Sequence, residues 1–397
     1  MTDKKLWQTN TKLHPLVEDY TVGEDHLLDQ QLIPYDIQAS QAHAGMLHQI
    51  GILTDGELKK LSDAFDDLQW KWQSGQFIIA PWQEDGHTAI EQYLVGTWGE
   101  LGKKIHTARS RNDQALVMMR LFEREMLGKI TQSLATTVEA LKSASVRFNG
   151  QPMPGYTHMQ KAMPTTVGVW LASFADAFND CQGVISATAK LIDQNPLGSA
   201  SGFGINNFPI PKNVTTKKLG FAKTQQNPMY CGLSRGLFES ALLNALAPPM
   251  LLASRFASDM LLFTTDEFNF LKLPKEFTTG SSIMPNKQNY DLFEIMRANW
   301  PVFASYQQQV QNIIGGLPSG YSRDLQLTKK PTIKGLQLSL TTLELLASAV
   351  PKIAINKQKL DQAMSPELFA TEKVYELVKS GQSFRSAYIQ IKQKITR

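Results

Sequence analysis

The chain has 397 residues, a length that suits two to three domains and a large buried core. Hydrophobic residues make up 42% and charged residues 19%, the balance of a globular chain and not of a disordered one. The net charge of +4 helps to attract small anions, but it is too small and too dispersed to mark a nucleic-acid surface.

The two cysteines, Cys181 and Cys231, form no CxxC pair and sit near no histidine cluster. No disulfide framework and no metal site are therefore expected, and a reducing, cytoplasmic compartment is the simplest setting. The stretch Met1-Thr2-Asp3-Lys4-Lys5-Leu6-Trp7 lacks the apolar core of a secretion signal. No uninterrupted apolar run approaches the ~20 residues of a membrane span, so no membrane partner is expected.

In chain order, residues 1–108 read as a smaller helical domain. Alternating Val/Ile/Thr runs bounded by turns are scarce throughout, so little β structure is expected. From Asp113 to Phe148 there is no proline, and Leu127, Ile130, Leu134 and Leu141 share one helical face. A helix of roughly 36 residues would extend about 54 Å. Further long helices are expected over 164–193, 229–265, 288–314 and 331–357. Val167, Leu171, Phe174, Phe178 and Cys181 recur at helical steps in the first of these. Ile333, Leu336, Leu340 and Leu343 do so in the last, where Pro331 suits a first turn. Pro248-Pro249, Pro301 and Pro351 are expected to kink or interrupt their helices.

Rods of this length, each with one apolar stripe, pack into bundles, often with symmetry mates. The expected fold is all-α. A central long-helix bundle over 109–357 would carry oligomerisation and catalysis, flanked by the smaller domain and by a short helical domain at 358–397. Polar, glycine-rich connections at 107–112, 152–163, 194–228, 272–289 and 315–330 are where chemistry would sit, because loops on a rigid scaffold carry function.

The most informative connection is Thr279-Gly280-Ser281-Ser282-Ile283-Met284-Pro285-Asn286-Lys287-Gln288-Asn289. Small residues let backbone approach a ligand and let a loop move. A helix start behind it favours an anion. A serine near Lys287 can have its hydroxyl pKa lowered toward use as a base. By composition alone such a loop is a helix cap. Its residue order, however, resembles the GSSxMPxKxN signature of the fumarase/aspartase superfamily. Members of that superfamily release fumarate by cleaving C–N or C–O bonds, and their fold is a long five-helix bundle assembled as a homotetramer.

Two further stretches narrow the resemblance. His106-Thr107-Ala108-Arg109-Ser110-Arg111-Asn112-Asp113-Gln114 is similar to the HTGRSRNDQ motif of argininosuccinate lyases, with Ala108 in place of glycine. Pro154-Gly155-Tyr156-Thr157-His158-Met159-Gln160-Lys161-Ala162-Met163-Pro164-Thr165-Thr166 resembles their PGYTHLQxAxPTT. Glu84-Asp85-Gly86-His87-Thr88-Ala89-Ile90-Glu91 and Tyr321-Ser322-Arg323-Asp324-Leu325-Gln326-Leu327-Thr328-Lys329 match as well, and the likeness runs from about residue 20 nearly to the end.

The resemblance implies β-elimination of argininosuccinate to arginine and fumarate through a carbanion (aci-carboxylate) intermediate, the last step of arginine biosynthesis, with no cofactor and no metal. Charge on such an intermediate must be met by preorganised cations and N–H donors. Lys287 and the 280–283 backbone are the expected donors, Ser281 the expected base and His158 the expected acid partner. Ser110, Arg111 and Asn112 would grip a succinyl carboxylate, where an arginine fork fits better than lysine. The same residues would also cap the long helix. Thr157 and Asn289 resemble substrate-contacting positions, and His87 would line the site. Tyr321, Gln326 and Lys329 match positions that hold the amino-acid end of arginine, which fumarases and aspartases do not need to hold. Composite sites, each shared by three subunits of a homotetramer, are implied.

The chain departs from the family pattern at several points. Asp25 stands where a substrate-contacting serine is usual, an acid able to pair with the guanidinium. Ser234-Arg235-Gly236 replaces an Ser-x-Arg-Asp type segment, so an expected buried acid is missing. Asn286 and Gln288 also differ from the usual residues, and the chain is some tens of residues shorter than typical members, which implies a reduced C-terminal domain. Competing readings are another fumarate-releasing lyase of the superfamily, acting on adenylosuccinate or on a modified argininosuccinate, and a non-catalytic crystallin-like relative. Retention of both Ser281 and His158 weighs against the last.

Overall fold

The computed structural model describes residues 13–395, so the opening stretch 1–7 lies outside the described residues. The chain divides into two compact units. The first comprises residues up to Lys129 together with Ile185–Ala245 and Ala304–Gln337; the second comprises Ile130–Val184, Leu246–Phe303 and Leu338–Arg397. The fold is all-α apart from one hairpin and a few two-residue ladders.

The first unit opens with α1 (Pro15–Val22) and α2 (Asp25–Asp29), followed by α3 (Ile33–Gln49), α4 (Asp55–Gln73), α5 (Gly86–Trp98) and α6 (Glu100–Lys104). Thr54 and Glu57 form a capping box that starts α4 by satisfying two otherwise orphaned N–H groups. Ile33, Ile37, Met46, Leu47, Leu61, Phe65, Leu68 and Leu94 make one buried cluster that joins α3, α4 and α5. Burying each such side chain contributes about 1.5–3 kcal/mol, which holds the polar residues on the same helices in place.

The long helices are α7 (Arg111–Arg147), α8 (Val167–Ile192), α11 (Leu237–Phe263), α12 (Asp291–Ile314) and α13 (Lys329–Ala349), with the shorter α9 (Lys212–Lys218) and α10 (Pro228–Ser234) between α8 and α11. Four of the five expected helices are single rods, but the one expected over 229–265 is two. Arg235 is extended and Gly236 has φ +80°, which ends α10 and starts α11. A Cβ at Gly236 would lie 2.3 Å from Ile314 Cγ2, so both conformation and space demand glycine there. Two of the expected proline sites do not interrupt their helices: α11 runs through Pro248 and Pro249, and α12 runs through Pro301. Pro351 instead sits in a 3-10 turn just beyond α13, so that helix stops at Ala349 and not near 357.

In the second unit, Trp170 of α8 stacks on Phe256 of α11 at 5.5 Å, and Phe256 meets Phe293 of α12 edge-on. Thr137 of α7 donates to the Leu343 carbonyl of α13 at 3.0 Å. After α14 (Lys357–Ala363), α15 (Ala370–Lys379) and α16 (Phe384–Ile395) pair through Val374, Ala387 and Ile391. By length and composition α11 is apolar enough to cross a membrane, yet 56% of its most apolar window is buried within the chain, as in a core helix.

The sequence reading missed β1 (Pro152–Thr157) and β2 (Gln160–Thr166), an antiparallel hairpin where only a polar connection was expected. Thr157 pairs with Gln160, leaving His158 and Met159 as a two-residue turn with φ +52° and +61°. Positive φ at both central residues is the type I′ geometry that matches strand twist. It normally selects Asn-Gly, so His-Met carried no hairpin signal.

Candidate active site

The residues before α5 and α7 build the first part of the site. Asp85 caps α5 by accepting the Thr88 N–H at 2.8 Å, and Glu84 precedes it in a left-handed conformation. Ser110 caps α7: its hydroxyl accepts the Asn112 N–H at 3.3 Å, and Asp113 returns an acceptor to the Ser110 N–H at 2.9 Å. The cap thereby turns Arg111 toward α5. Its Nη1 and Nη2 both donate to Glu84 Oε2 at 3.1 Å, and Asp85 lies 3.4 Å away. Burial disfavours the charged guanidinium, but Asp85 and Glu84 outweigh it and hold the Arg111 pKa above its usual value.

Ala108, which replaces a motif glycine, has φ +61°. An L-residue in that region costs about 1–2 kcal/mol, and the extra freedom that glycine gives the unfolded chain takes back about 0.4–1 kcal/mol. Ala108→Gly is therefore expected to stabilise the fold by about 1 kcal/mol in urea titration. An unchanged or lowered midpoint would refute strain at this position.

The first unit gathers six expected residues around one cleft: Asp25, His87, Arg111, Tyr321, Gln326 and Lys329. Lys329 is buried, with Nζ 2.7 Å from Asp25 Oδ1 and 2.5 Å from Asp29 Oδ1. Burial pushes the lysine pKa down, but Asp29 and Asp25 more than reverse this. For Asp29 burial pulls upward, yet Lys329, His87 and the Gly86 N–H leave its pKa depressed. Asp25 has less help, so burial leaves its pKa raised. The Gln326 amide donates to the Thr21 and Val22 carbonyls at 3.2 and 3.3 Å. Asn112 lines a small adjoining cavity that shares Tyr321 and Arg235 with the cleft.

His87 Nδ1 lies 2.5 Å from Asp36 Oδ2, both buried. Burial works against the charged ring, but Asp36, with Asp85 and Asp29 beyond it, outweighs burial and holds the pKa above the usual 6.5. A pKa raised in the folded state contributes stability that is complete below the unfolded value and is lost as pH rises through the folded one. The stability difference between the native chain and His87→Gln is therefore expected to shrink as pH climbs above 6.5. A difference that grew with pH would contradict this pairing.

The remaining expected residues belong to the second unit and lie on two exposed segments. Thr157 and His158 are at the hairpin tip. Ser281 and Lys287 lie on a loop closed by a two-residue ladder, in which Thr279 pairs with Asn289 and Gly280 with Gln288. Ser281 Oγ accepts the N–H groups of Ile283 and Met284 at 3.3 and 3.0 Å. The helix behind this loop begins at Asp291, which receives the Thr279 hydroxyl at 2.5 Å.

Sequence reasoning missed the partners that hold these side chains. Asp29 and Asp36 fall seven positions apart on a buried stripe, where a carboxylate needs a partner. That spacing was the available signal. Glu84 and Asp85 were quoted within a matching stretch without a role. Arg235 and Arg323, quoted in two stretches without a role, also line the cleft.

Comparison with known proteins gives the following. Residues 14–300 match the lyase family. An argininosuccinate lyase of Thermotoga neapolitana is 41% identical over 394 residues, which cover 99% of each chain, so that relative is about as long as this one. An argininosuccinate lyase of Sorangium cellulosum is 42% identical, covering 98% of this chain and 90% of its own. Among solved structures, an EDDS lyase in complex with formate aligns with TM-score 0.76 at 24% identity, over 98% of this chain and 76% of that one. A class II fumarase from Schistosoma mansoni aligns with TM-score 0.78 at 15% identity, over 94% and 91%. These structural likenesses speak to the fold.

Proposed function

Since the chain belongs to the argininosuccinate lyase family, and is thus a lyase, we propose that it splits argininosuccinate into arginine and fumarate by β-elimination. The observation that carries this reading is the cleft in which buried carboxylates alternate with Arg111, Lys329 and Gln326. Such an array of both signs suits a substrate that bears carboxylates, an ammonium and a guanidinium at once.

In this mechanism Ser281 takes a proton from the succinyl carbon next to a carboxylate. The resulting carbanion delocalises onto the carboxylate oxygens as a dianion. Lys287 and the loop N–H groups meet that charge, preorganised so that little reorientation is needed during reaction. His158 gives a proton to the departing guanidinium nitrogen as the C–N bond breaks and the fumarate double bond forms. Two N–H groups converging on Ser281 Oγ support the base role, because donors to an oxygen favour its deprotonated form. Ser110, Arg111, Asn112, Thr157 and Asn289 hold the succinyl end. Asp25, Tyr321, Gln326 and Lys329 hold the arginine end, and His87 fixes the wall between α3 and α5. A homotetramer in which three subunits complete each site, working in the cytoplasm, is part of the same proposal.

The test is direct. Purified protein incubated separately with argininosuccinate and adenylosuccinate is expected to release fumarate, seen by its ultraviolet absorbance, from the first alone. Release from adenylosuccinate, or from neither compound, would overturn the reading.

A further inference from the structure

Of the arginines and lysines lining the cleft, Arg235 alone has a guanidinium with no hydrogen-bond acceptor and no ion-pair partner among the described residues. Arg111 is held by Glu84, Lys329 by Asp25 and Asp29, and Arg323 by the Thr21 carbonyl at 2.9 Å. Arg235 is more than nine-tenths buried, and its guanidinium carbon lies 5.5 Å from the centre of the Tyr321 ring. Glu239 is the negative charge it feels nearby, with no ion pair between the two, and guanidinium donors left unpaired in a cleft wall suit an arriving anion.

The backbone on both sides of Arg235 is pinned. Ser234 donates to the Cys231 carbonyl at 2.7 Å and accepts from Arg120 at 3.4 Å. On the other side, Glu239 Oε2 accepts the Gly236 N–H at 2.6 Å. Glu239 is buried in the first turn of α11, so an acid does cap this segment, although the sequence departs from the Ser-x-Arg-Asp pattern. The cap and the tight glycine fix where the Arg235 side chain starts, and from there it lines the cleft.

Charge divides the neighbourhood. Lys329 is one cation against the two carboxylates of Asp25 and Asp29, so that group carries surplus negative charge and attracts a cation, not an anion. Resting on the argininosuccinate reading, we propose that Arg235 forks the α-carboxylate at the amino-acid end of the substrate, while the Asp25–Asp29–Lys329 group receives its α-ammonium. Tyr321, beneath the guanidinium, keeps the fork flat against the incoming carboxylate.

Arginine and agmatine, which is arginine without its carboxylate, separate the two contacts when used as inhibitors of fumarate release. The native protein is expected to bind arginine about 10- to 100-fold more tightly than agmatine, the worth of a charge-assisted pair. In Arg235→Gln that preference should collapse toward unity. The agmatine and fumarate inhibition constants should stay put, and KM for argininosuccinate should rise with kcat nearly unchanged. Arg235→Lys should keep a reduced preference, because it retains charge but not the fork. Melting curves of both variants report folding. If neither variant folds, a crystal structure of the native protein with bound arginine decides: the carboxylate lies on the Arg235 fork if the proposal holds and on another cation if it fails. A native protein that binds arginine and agmatine equally, a folded Arg235→Gln that keeps the native ratio, or one that loses affinity for fumarate instead, overturns the proposal. If the native protein releases no fumarate, the lyase reading falls, and calorimetric binding of arginine against agmatine to the native and Arg235→Gln proteins still tests Arg235 on its own.

Discussion

Ser281→Ala is expected to lower kcat by about 10²- to 10⁴-fold, the usual contribution of a positioned base. Its melting temperature and oligomeric state should match those of the native protein. The two effects separate because of where Ser281 sits. Its hydroxyl only accepts N–H groups of Ile283 and Met284 within its own loop, so removing it deprives no packed element of a partner. Losing contacts of this kind costs about 0.5–1.5 kcal/mol at most, and less where water replaces them. Stopped turnover in a protein with normal melting would support proton abstraction at this position. Near-native kcat would remove Ser281 from the mechanism, and a large drop in melting temperature would make its role architectural.

Lys329→Met should have the largest effect on stability, a loss of about 3–5 kcal/mol, because it leaves Asp25 and Asp29 buried without their counter-charge. The pH dependence gives a second readout. In the native protein Lys329 helps to hold the Asp29 pKa below its usual 3.8, so this contribution is present above that value and fades as pH falls through the folded one. Without the lysine, both carboxyls are easier to bury protonated, and the variant gains relative to the native chain as acid is added. The stability gap in urea titrations is therefore expected to narrow from neutral to acidic pH. A gap that stayed constant would mean the lysine acts by packing and not by charge.

What could be read in the chain follows the range of the forces involved. The proline-free Asp113–Phe148 stretch with its apolar stripe announced α7, because helical periodicity is a local signal. The interruption at Arg235–Gly236 was not legible. It depends on Ile314, distant in sequence, which crowds any Cβ at position 236. The prolines of α11 and α12 leave their helices unbroken for the converse reason: packing by residues such as Phe256 and Phe293 sustains helices that local propensity alone would break. The candidate site residues were chosen mainly by the order of amino acids in five short stretches. Their partners were not, since Asp36 under His87 and Glu84 under Arg111 are joined to them only by tertiary contact.

The backbone handedness at the hairpin tip limits which replacements of His158 report on chemistry alone. Asparagine visits the left-handed region several-fold more often than most residues, so His158→Asn removes the imidazole while keeping the bend. A branched or bulky substitute would mix a shape penalty of about 1–2 kcal/mol into any measured rate. The same geometry bears on any natural replacement at this position, which has to tolerate a positive φ whatever chemistry its side chain brings.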